Sequence, residues 1–375
     1  MIAPRKILAI KLRSLGDTIL MTAPLLELRK TYPNAEIDVV VSRRWASLLE
    51  NHPAVDRILT YERHKDISSR TKALARLAIT LRKNHYDWVL NFHASPSSAT
   101  LSFATGAKMR SVHFHGHQDR NRHSTVVVPG KGMLKPIIER DMDTVRALGI
   151  HSPVGTMPRI FLKDEEIQQA RTQLQKHGFT KPLLAIGLGA SRPTKSWPVE
   201  KYAAVALQWC RETQGSALCL VSQDEDPLAQ GFFRALDQQI IQLPAINERA
   251  KLRARIGCEV GLPLREMSAM IAQATVYLGN DSGPKHIAVA LGIPTVTVFG
   301  PEDPFEWHPY PQATHRILHI ENLPCRKDGP TDLQGDMKPW CGVNVCTEEK
   351  HRCMQDITEA QVYQVCRELQ TGIQK

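Results

Sequence analysis

Residues 277–300 read YLGNDSGPKHIAVALGIPTVTVFG, and their reading decides the fold. Val276-Tyr277-Leu278 is a short apolar run. Asn280 to Pro284 is dense in turn and capping residues, so Ser282 or Gly283 caps a helix and Pro284 suits its first position, where an N–H goes unused. Gly292 is placed to end that helix in a left-handed conformation, and Pro294 blocks its continuation. Thr295 to Phe299 then forms a second buried strand. Strand, tight loop, helix N-terminus and strand together make an anion site, because free backbone N–H groups and the positive end of the helix dipole face a ligand. Asp281 brings a carboxylate suited to sugar hydroxyls, and His286, one turn in, can donate to a phosphate oxygen. The plainer reading is a β-α-β turn with a capping serine, and this stretch alone does not choose between them.

The rest of the chain supplies context. A length of 375 residues favours two domains. No run of about eighteen apolar residues exists, so no transmembrane helix is expected. The first residues, Met1 to Lys6, lead into a strand with too little apolar length for a secretory signal. The net charge of +10 is unevenly placed: residues 1–170 carry 26 Lys and Arg against 16 Asp and Glu, and residues 171–375 carry 22 against 22. The basic half suits an acidic partner such as a phosphorylated glycolipid, an anionic membrane or nucleic acid, unless it is only a solvated face.

KILAIKL, residues 6–12, is the first strand. The loop Arg13-Ser14-Leu15-Gly16-Asp17 follows, at the carboxyl end where open α/β sheets bind ligands. The helix after it runs to about Tyr32 and either kinks at Pro24 or starts near Thr22. Gly16 permits close backbone approach, and Asp17 is the acid of the loop, near Lys11 and Arg13. Asp17 either caps the helix or acts as a general base on a hydroxyl; composition does not separate the two. Strands are expected at 35–42, 55–60 and 86–92, and helices at 43–51, at 63–83 (basic) and from Ser95. SVHFHGHQDRNRH, residues 111–123, reads as a loop. Its histidines can bind metal, but no Cys partner stands beside them, and Arg120 and Arg122 suit contact with an anionic acceptor. Residues 136–148 read as a helix.

HSPVGTMPR, residues 151–159, is a linker, which places domains at 1–165 and 166–350 with a terminal helix within 351–375. A second βα series then runs through strands at 183–189, 218–222 and 240–243 and helices at 164–178 and from Pro198, Asp226 and Leu264. Two such series predict two Rossmann-like domains facing across a cleft. The loop GLGASRPTKSWP, residues 187–198, is a second candidate phosphate site, with Ser191, Arg192 and Lys195 as its polar groups. It lacks G-x-G-x-x-G, and no Walker sequence occurs anywhere, which disfavours nicotinamide and P-loop chemistry. Of eight cysteines, Cys210, Cys219, Cys258 and Cys366 read as core residues. Cys325, Cys341, Cys346 and Cys353 can hold a structural zinc or stay as thiols, since the C-x2-C knuckle is missing. Disulfides are not expected in a reducing compartment.

Three segments taken together resemble the ADP-heptose:lipopolysaccharide heptosyltransferases, glycosyltransferase family 9: KILAIKLRSLGDTILMTAPLLELRKTYPNAEIDVVV, GASRPTKSWP and GNDSGPKHIAVALGIPTVTVFGP. The resemblance implies a GT-B fold, with the acceptor on the first domain, the nucleotide sugar on the second and a C-terminal helix crossing back to the first. It implies inverting, metal-independent transfer of heptose from ADP-L-glycero-D-manno-heptose, with no cofactor. Asp17 aligns with the base, and Lys195 with the residue that neutralises the donor diphosphate. Asp281 aligns with the carboxylate that holds donor hydroxyls, and Ser282, Gly283 and His286 with the diphosphate-contacting turn. Ser191 matches a donor-loop hydroxyl, Asp224 a position near the ribose and Leu262 one near the base. Arg13, Ser14, Gly16, Arg120 and Arg122 are the acceptor candidates. Ala190 departs from the family's pattern beside Ser191, and the Cys-rich tail is extended. The basic half would meet a lipid A–core acceptor bearing phosphates and Kdo carboxylates, which places the protein in the cytoplasm, peripheral at the inner membrane face. Another nucleotide sugar or glycolipid acceptor, or a silent nucleotide-sugar-binding protein, are the alternatives. A nucleic-acid binder is disfavoured by the lack of aromatic interleaving.

Overall fold

The computed structural model describes residues 3–62, 64, 66–114, 122–131, 135–151, 153–321, 323–325, 345–346 and 348–372. The chain divides into two units: Met1–Phe161 with Phe305–Pro309 fall in the first, and Leu162–Pro304 with Tyr310 onward, to Lys375, largely in the second.

The first unit contains β1 (Lys6–Lys11), α1 (Leu15–Leu20), α2 (Thr22–Thr31), β2 (Glu36–Ser42), β3 (Arg57–Tyr61), α3 (Ile67–Lys83), β4 (Trp88–Asn91), α4 (Pro96–Ala104), β5 (Met109–His113), β6 (Val126–Val128) and α5 (Ile137–Arg146). Its sheet has the order β3-β2-β1-β4-β5-β6, all parallel. KILAIK and EIDVVVS are nearly continuous apolar runs because helices cover both faces of the sheet. One face packs Ile7, Ala9 and Val39 with α2 and Val145. The other packs Leu8, Ile10 and Val40 with Leu77 and Leu81 of α3. The chain leaves β1, caps α1 and restarts as α2 at Thr22, so the predicted long helix breaks at Met21, ahead of Pro24. The helix expected at 43–51 is a 3-10 helix over residues 43–49.

The second unit contains α6 (Asp164–Lys176), β7 (Leu183–Gly187), α7 (Val199–Thr213), β8 (Ser216–Val221), α8 (Asp226–Ile241), α9 (Ile246–Ala254), β9 (Ile256–Val260), α10 (Leu264–Ile271), β10 (Val276–Asn280), α11 (Gly283–Ala290), β11 (Thr295–Val298), α12 (Pro304–Trp307, assigned to the first unit from Phe305 on), β12 (His315–Leu318), α13 (Arg352–Gln355) and α14 (Glu359–Gly372). Its sheet, β12-β11-β10-β7-β8-β9, is also wholly parallel. Counted from the first strand of each unit, both sheets follow 3-2-1-4-5-6, the Rossmann order. In each, the order reverses beside the unit's first strand, between β1 and β4 and between β7 and β10.

Several readings are corrected. Ile240 and Ile241 are the last residues of α8, and residues 240–243 form no strand; the third strand is β9, IGCEV. A short, mostly apolar run such as IIQL does not distinguish a buried strand from a helix end. Ser111–His113 is strand β5, not loop, and His113 is buried with Nδ1 3.2 Å from the Arg140 carbonyl oxygen. His115, His117 and Arg120 lie outside the described residues. α14 packs on α7, β10 and β11, within the second unit. Trp197 Nε1 donates to the Ile357 carbonyl at 3.1 Å, and Met354 and Val362 join the second core.

Candidate active site

In the first unit, the loops after β1 and β4 leave the sheet on either side of its switch point. Asp17 sits in the first turn of α1 with its side chain 18% exposed. Its Oδ2 accepts from the Ser14 amide at 2.9 Å and the Ser14 hydroxyl at 2.8 Å. Its Oδ1 faces Lys11 Nζ at 3.8 Å. Capping therefore uses one oxygen and leaves the other directed at the loop's cation. Burial opposes ionisation of Asp17, but Lys11, the two bonds from Ser14 and nearby His93 outweigh it, so its pKa is lowered and it is a carboxylate at neutral pH.

Lys11 is fixed from three sides. It donates to Asp141 at 2.8 and 3.0 Å and to the Phe92 carbonyl at 2.9 Å, and it is 2% exposed. Burial raises Asp141 to about 6, against the pull of Lys11 and with the charge of Asp17 adding to the rise. His93, in the loop after β4, is lowered to about 4 by burial together with Lys11 and Arg13, against the pull of Asp17; it is neutral at pH 7. Beside this cluster opens a cavity of about 840 Å³, lined by Arg13, Ser14, Arg43, Arg44, Arg70 and His93 among others, with Glu62 as its acid. This is a basic pocket with hydroxyl groups, suited to an anionic ligand. The sequence reading supplied Arg13 and Ser14. Arg43 and Arg44 were missed as site residues, although their place just after β2 signals the same carboxyl edge. Gly16 is buried in α1, and Arg122 is exposed and does not line the pocket.

In the second unit, Lys195 from the loop after β7 meets Asp281 from the loop after β10, again at the switch point. Lys195 Nζ is 2.5 Å from Asp281 Oδ2, and Lys285 Nζ is 2.6 Å from Oδ1. Burial would push Asp281 up, but Lys285 and Lys195 overcome it and lower its pKa below the usual carboxylate range. Two lysines against one carboxylate leave a net charge of +1 beside the N-terminus of α11, whose N-cap is Ser282 and whose first residue is Gly283. Gly292 ends α11 at φ +75°, in the left-handed region. Lys285 is fully buried and was not singled out in the sequence; an interior lysine four residues after Asp281 was the available signal.

Asn280 holds the two loops together. Its Oδ1 accepts from the Trp197 amide and the Tyr202 hydroxyl, both at 2.9 Å. Its Nδ2 donates to the carbonyls of Leu188 at 2.8 Å and Gly189 at 3.3 Å. Replacing Asn280 by leucine strands these buried partners and is expected to cost roughly 3 kcal/mol in denaturant unfolding, since each orphaned group carries its desolvation penalty. At Gly189 the Glu225 carboxylate fills the space a Cβ would take, with Oε1 1.8 Å from that position. Asp224, the expected ribose contact, is exposed in the turn Gln223–Glu225, and Leu262 lies half-buried after β9, so both occupy the carboxyl edge of the sheet. Ser191 is exposed on the loop after β7, and Arg192 is ion-paired with Glu302. His286 is buried with Nδ1 on the Tyr310 hydroxyl. Of the zinc candidates, Cys353 is buried in the second core, Cys325 is exposed, Cys346 is half-buried, and Cys341 lies outside the described residues.

Asp281→Asn removes the shared carboxylate of two cations. It is expected to destabilise the chain by about 3–5 kcal/mol at pH 7, because buried Lys285 loses its partner. A carboxylate whose pKa is lowered on folding contributes stability above its unfolded value of about 3.9 and loses it as pH falls. The gap in melting temperature between wild type and Asp281→Asn should therefore narrow below about pH 4, as a melting series from pH 7 to pH 3 would show.

Two Rossmann sheets with polar clusters at both switch points are the frame of a two-domain nucleotide-using enzyme. Residues 74–333 match the family model of glycosyltransferase family 9 (heptosyltransferase). Lipopolysaccharide heptosyltransferase 3 of Escherichia coli K12 is 26% identical over 316 residues, 79% of this chain and 82% of the relative. Lipopolysaccharide heptosyltransferase 1 of Campylobacter coli is 25% identical over 314 residues, 79% of this chain and 84% of that one. A glycosyl transferase family 9 structure from Veillonella parvula superposes with a TM-score of 0.80 at 21% identity, covering 98% of both chains. E. coli ADP-heptose lps heptosyltransferase II superposes at 0.73 with 20% identity, covering 99% of this chain and 100% of that one. The fold is thus of GT-B type, and the protein is a glycosyltransferase. The chain belongs to glycosyltransferase family 9, the heptosyltransferases.

Proposed function

We propose that this protein transfers a heptose from ADP-L-glycero-D-manno-heptose to a hydroxyl of the lipopolysaccharide inner core, with inversion. The acceptor oxygen attacks the anomeric carbon, the bond from that carbon to the diphosphate oxygen breaks, and Asp17 takes the hydroxyl proton as ADP leaves. The basic cavity around Arg13 and Arg43 binds the acidic acceptor. Lys195 and the N-terminus of α11 receive the charge that develops on the leaving diphosphate, so this scheme requires no metal. When the diphosphate draws Lys195 away, Asp281 keeps Lys285 as counter-ion and has an oxygen free for donor hydroxyls.

The observation that carries the reading is the pairing of an ionised carboxylate at one switch point with an excess of positive charge at the other. Family membership and relatives named lipopolysaccharide heptosyltransferases support it. Among the described residues no helix is long and apolar enough to cross a membrane. We place the protein in the cytoplasm, peripheral at the inner membrane face where its acceptor is displayed.

A donor panel tests the reading. ADP release in the presence of a truncated lipopolysaccharide acceptor should require ADP-heptose, persist in a chelator, and give product of inverted anomeric configuration. Turnover of a UDP- or GDP-sugar in place of ADP-heptose would reassign the donor, and retention of configuration would remove single displacement.

A further inference from the structure

Helices α3 and α4 of the first unit carry a surface that the transfer chemistry does not use. Neither contains an Asp or Glu. The carboxylate next to them in sequence, Asp66, is occupied in capping α3, accepting from the Ser69 amide at 2.7 Å. Leu77 and Leu81 turn inward. At about 100° per residue, the positions of α3 facing away from them are Ser68, Lys72, Ala75, Arg76, Ile79 and Lys83. All six are exposed, and Ile79 stands 57% exposed among the three cations. α4 packs on α3 and presents Phe103, 55% exposed, with the Arg110 guanidinium 5.6 Å from its ring centre. Arg82, one turn beyond Ile79, donates to the Thr105 carbonyl just after Phe103, which brings the two apolar side chains to the same end of the helix pair.

Single exposed apolar residues are ordinary on soluble proteins. A helix pair without Asp or Glu that sets large apolar side chains among Lys and Arg is different: it is the composition that lies in the headgroup layer of a negatively charged bilayer. We propose that the α3–α4 face docks the first unit on an anionic phospholipid bilayer. Lys72, Arg76 and Lys83 engage headgroup phosphates, and Ile79 and Phe103 enter the interface. A soluble polyanion such as RNA would satisfy the cations and leave Ile79 and Phe103 in water, so charge and apolar area together select the bilayer. The proposal rests on the reading of the basic cavity as the acceptor site: Arg70 of α3 and Ser95 and Ser97 at the start of α4 line that cavity, so docking by these helices presents it to an acceptor anchored in lipid.

The test is co-sedimentation of the full chain with vesicles of phosphatidylethanolamine and phosphatidylglycerol, against phosphatidylcholine alone. The wild type is expected on the anionic vesicles. Lys72→Gln, Arg76→Gln and Lys83→Gln together should weaken that binding roughly 100-fold, at about a factor of five per cation near the surface. Ile79→Ser with Phe103→Ser should weaken it about 10-fold by removing apolar area from the interface. Both variants should keep wild-type transfer to a delipidated, water-soluble acceptor and lose it on vesicle-embedded acceptor. Unchanged vesicle binding in both would overturn the proposal. So would loss in the glutamine variant alone with equal affinity for RNA, which would make the face a polyanion surface. Failure of the wild type on the soluble acceptor would strike the acceptor reading instead, with vesicle binding still deciding the docking face.

Discussion

Asp17→Asn abolishes most transfer, at least ~100-fold in kcat by the usual range for a general base, and leaves ADP affinity unchanged. The asparagine is chosen because the proposed mechanism gives Asp17 two jobs on two oxygens. Its Oδ2 caps α1 through Ser14, while Oδ1 faces Lys11 and is the oxygen left to receive a proton. An amide oxygen still accepts from the Ser14 amide, so the cap survives and the base does not. Asp17→Ala removes both and should add about 1 kcal/mol of instability, the typical cost of a lost helix cap. The low pKa of Asp17 sets the pH response: the group is charged throughout the neutral range, so no fall in rate from its protonation is expected between pH 8 and pH 5. Initial rates and calorimetric ADP titrations of the two variants check all of this. Full activity in Asp17→Asn would return Asp17 to capping alone.

Lys195→Ala lowers kcat by about 100- to 1,000-fold, the range for losing one preorganised group at a developing negative charge. It also weakens ADP binding by about 10- to 100-fold, the worth of a charged hydrogen bond. Its effect on folding is expected to be small, which separates it from Asp281→Asn. Lys195 is 12% exposed at the mouth of the cluster, whereas Lys285 is completely buried and retains Asp281 when Lys195 is gone. An unchanged ADP affinity in Lys195→Ala, measured by calorimetry, would remove Lys195 from the diphosphate site.

The parts of this molecule that could be read in advance are those whose chemistry is local. The Asn280–Pro284 turn, the Gly292 stop and the strands KILAIK and LLAIG each combine period, capping and turn residues within a few positions, so strand ends and site loops followed from them. What escaped depends on long separation or on ambiguity. Lys11 and Asp141 are 130 positions apart, and nothing near Asp141 shows that it will meet a buried cation. Asn280 looked like a turn residue because its partners at 188, 189, 197 and 202 arrive from the loop after β7 and from α7. Residues 240–243, IIQL, are apolar enough for a strand, but Ile240 and Ile241 close α8, while IGCEV, interrupted by Gly257 and Glu259, is the strand itself. α14 declares by its amphipathic pattern that it has a face to bury, not which surface will receive it.

The most direct test of the account is the mass of a heptose-deficient lipopolysaccharide acceptor after incubation with the protein and ADP-L-glycero-D-manno-heptose, in the presence of a chelator. The account predicts that the acceptor gains one heptose unit and that an equal amount of ADP appears. An acceptor of unchanged mass, with ADP-heptose intact while the protein binds ADP, would contradict it and leave a binding protein in place of a transferase.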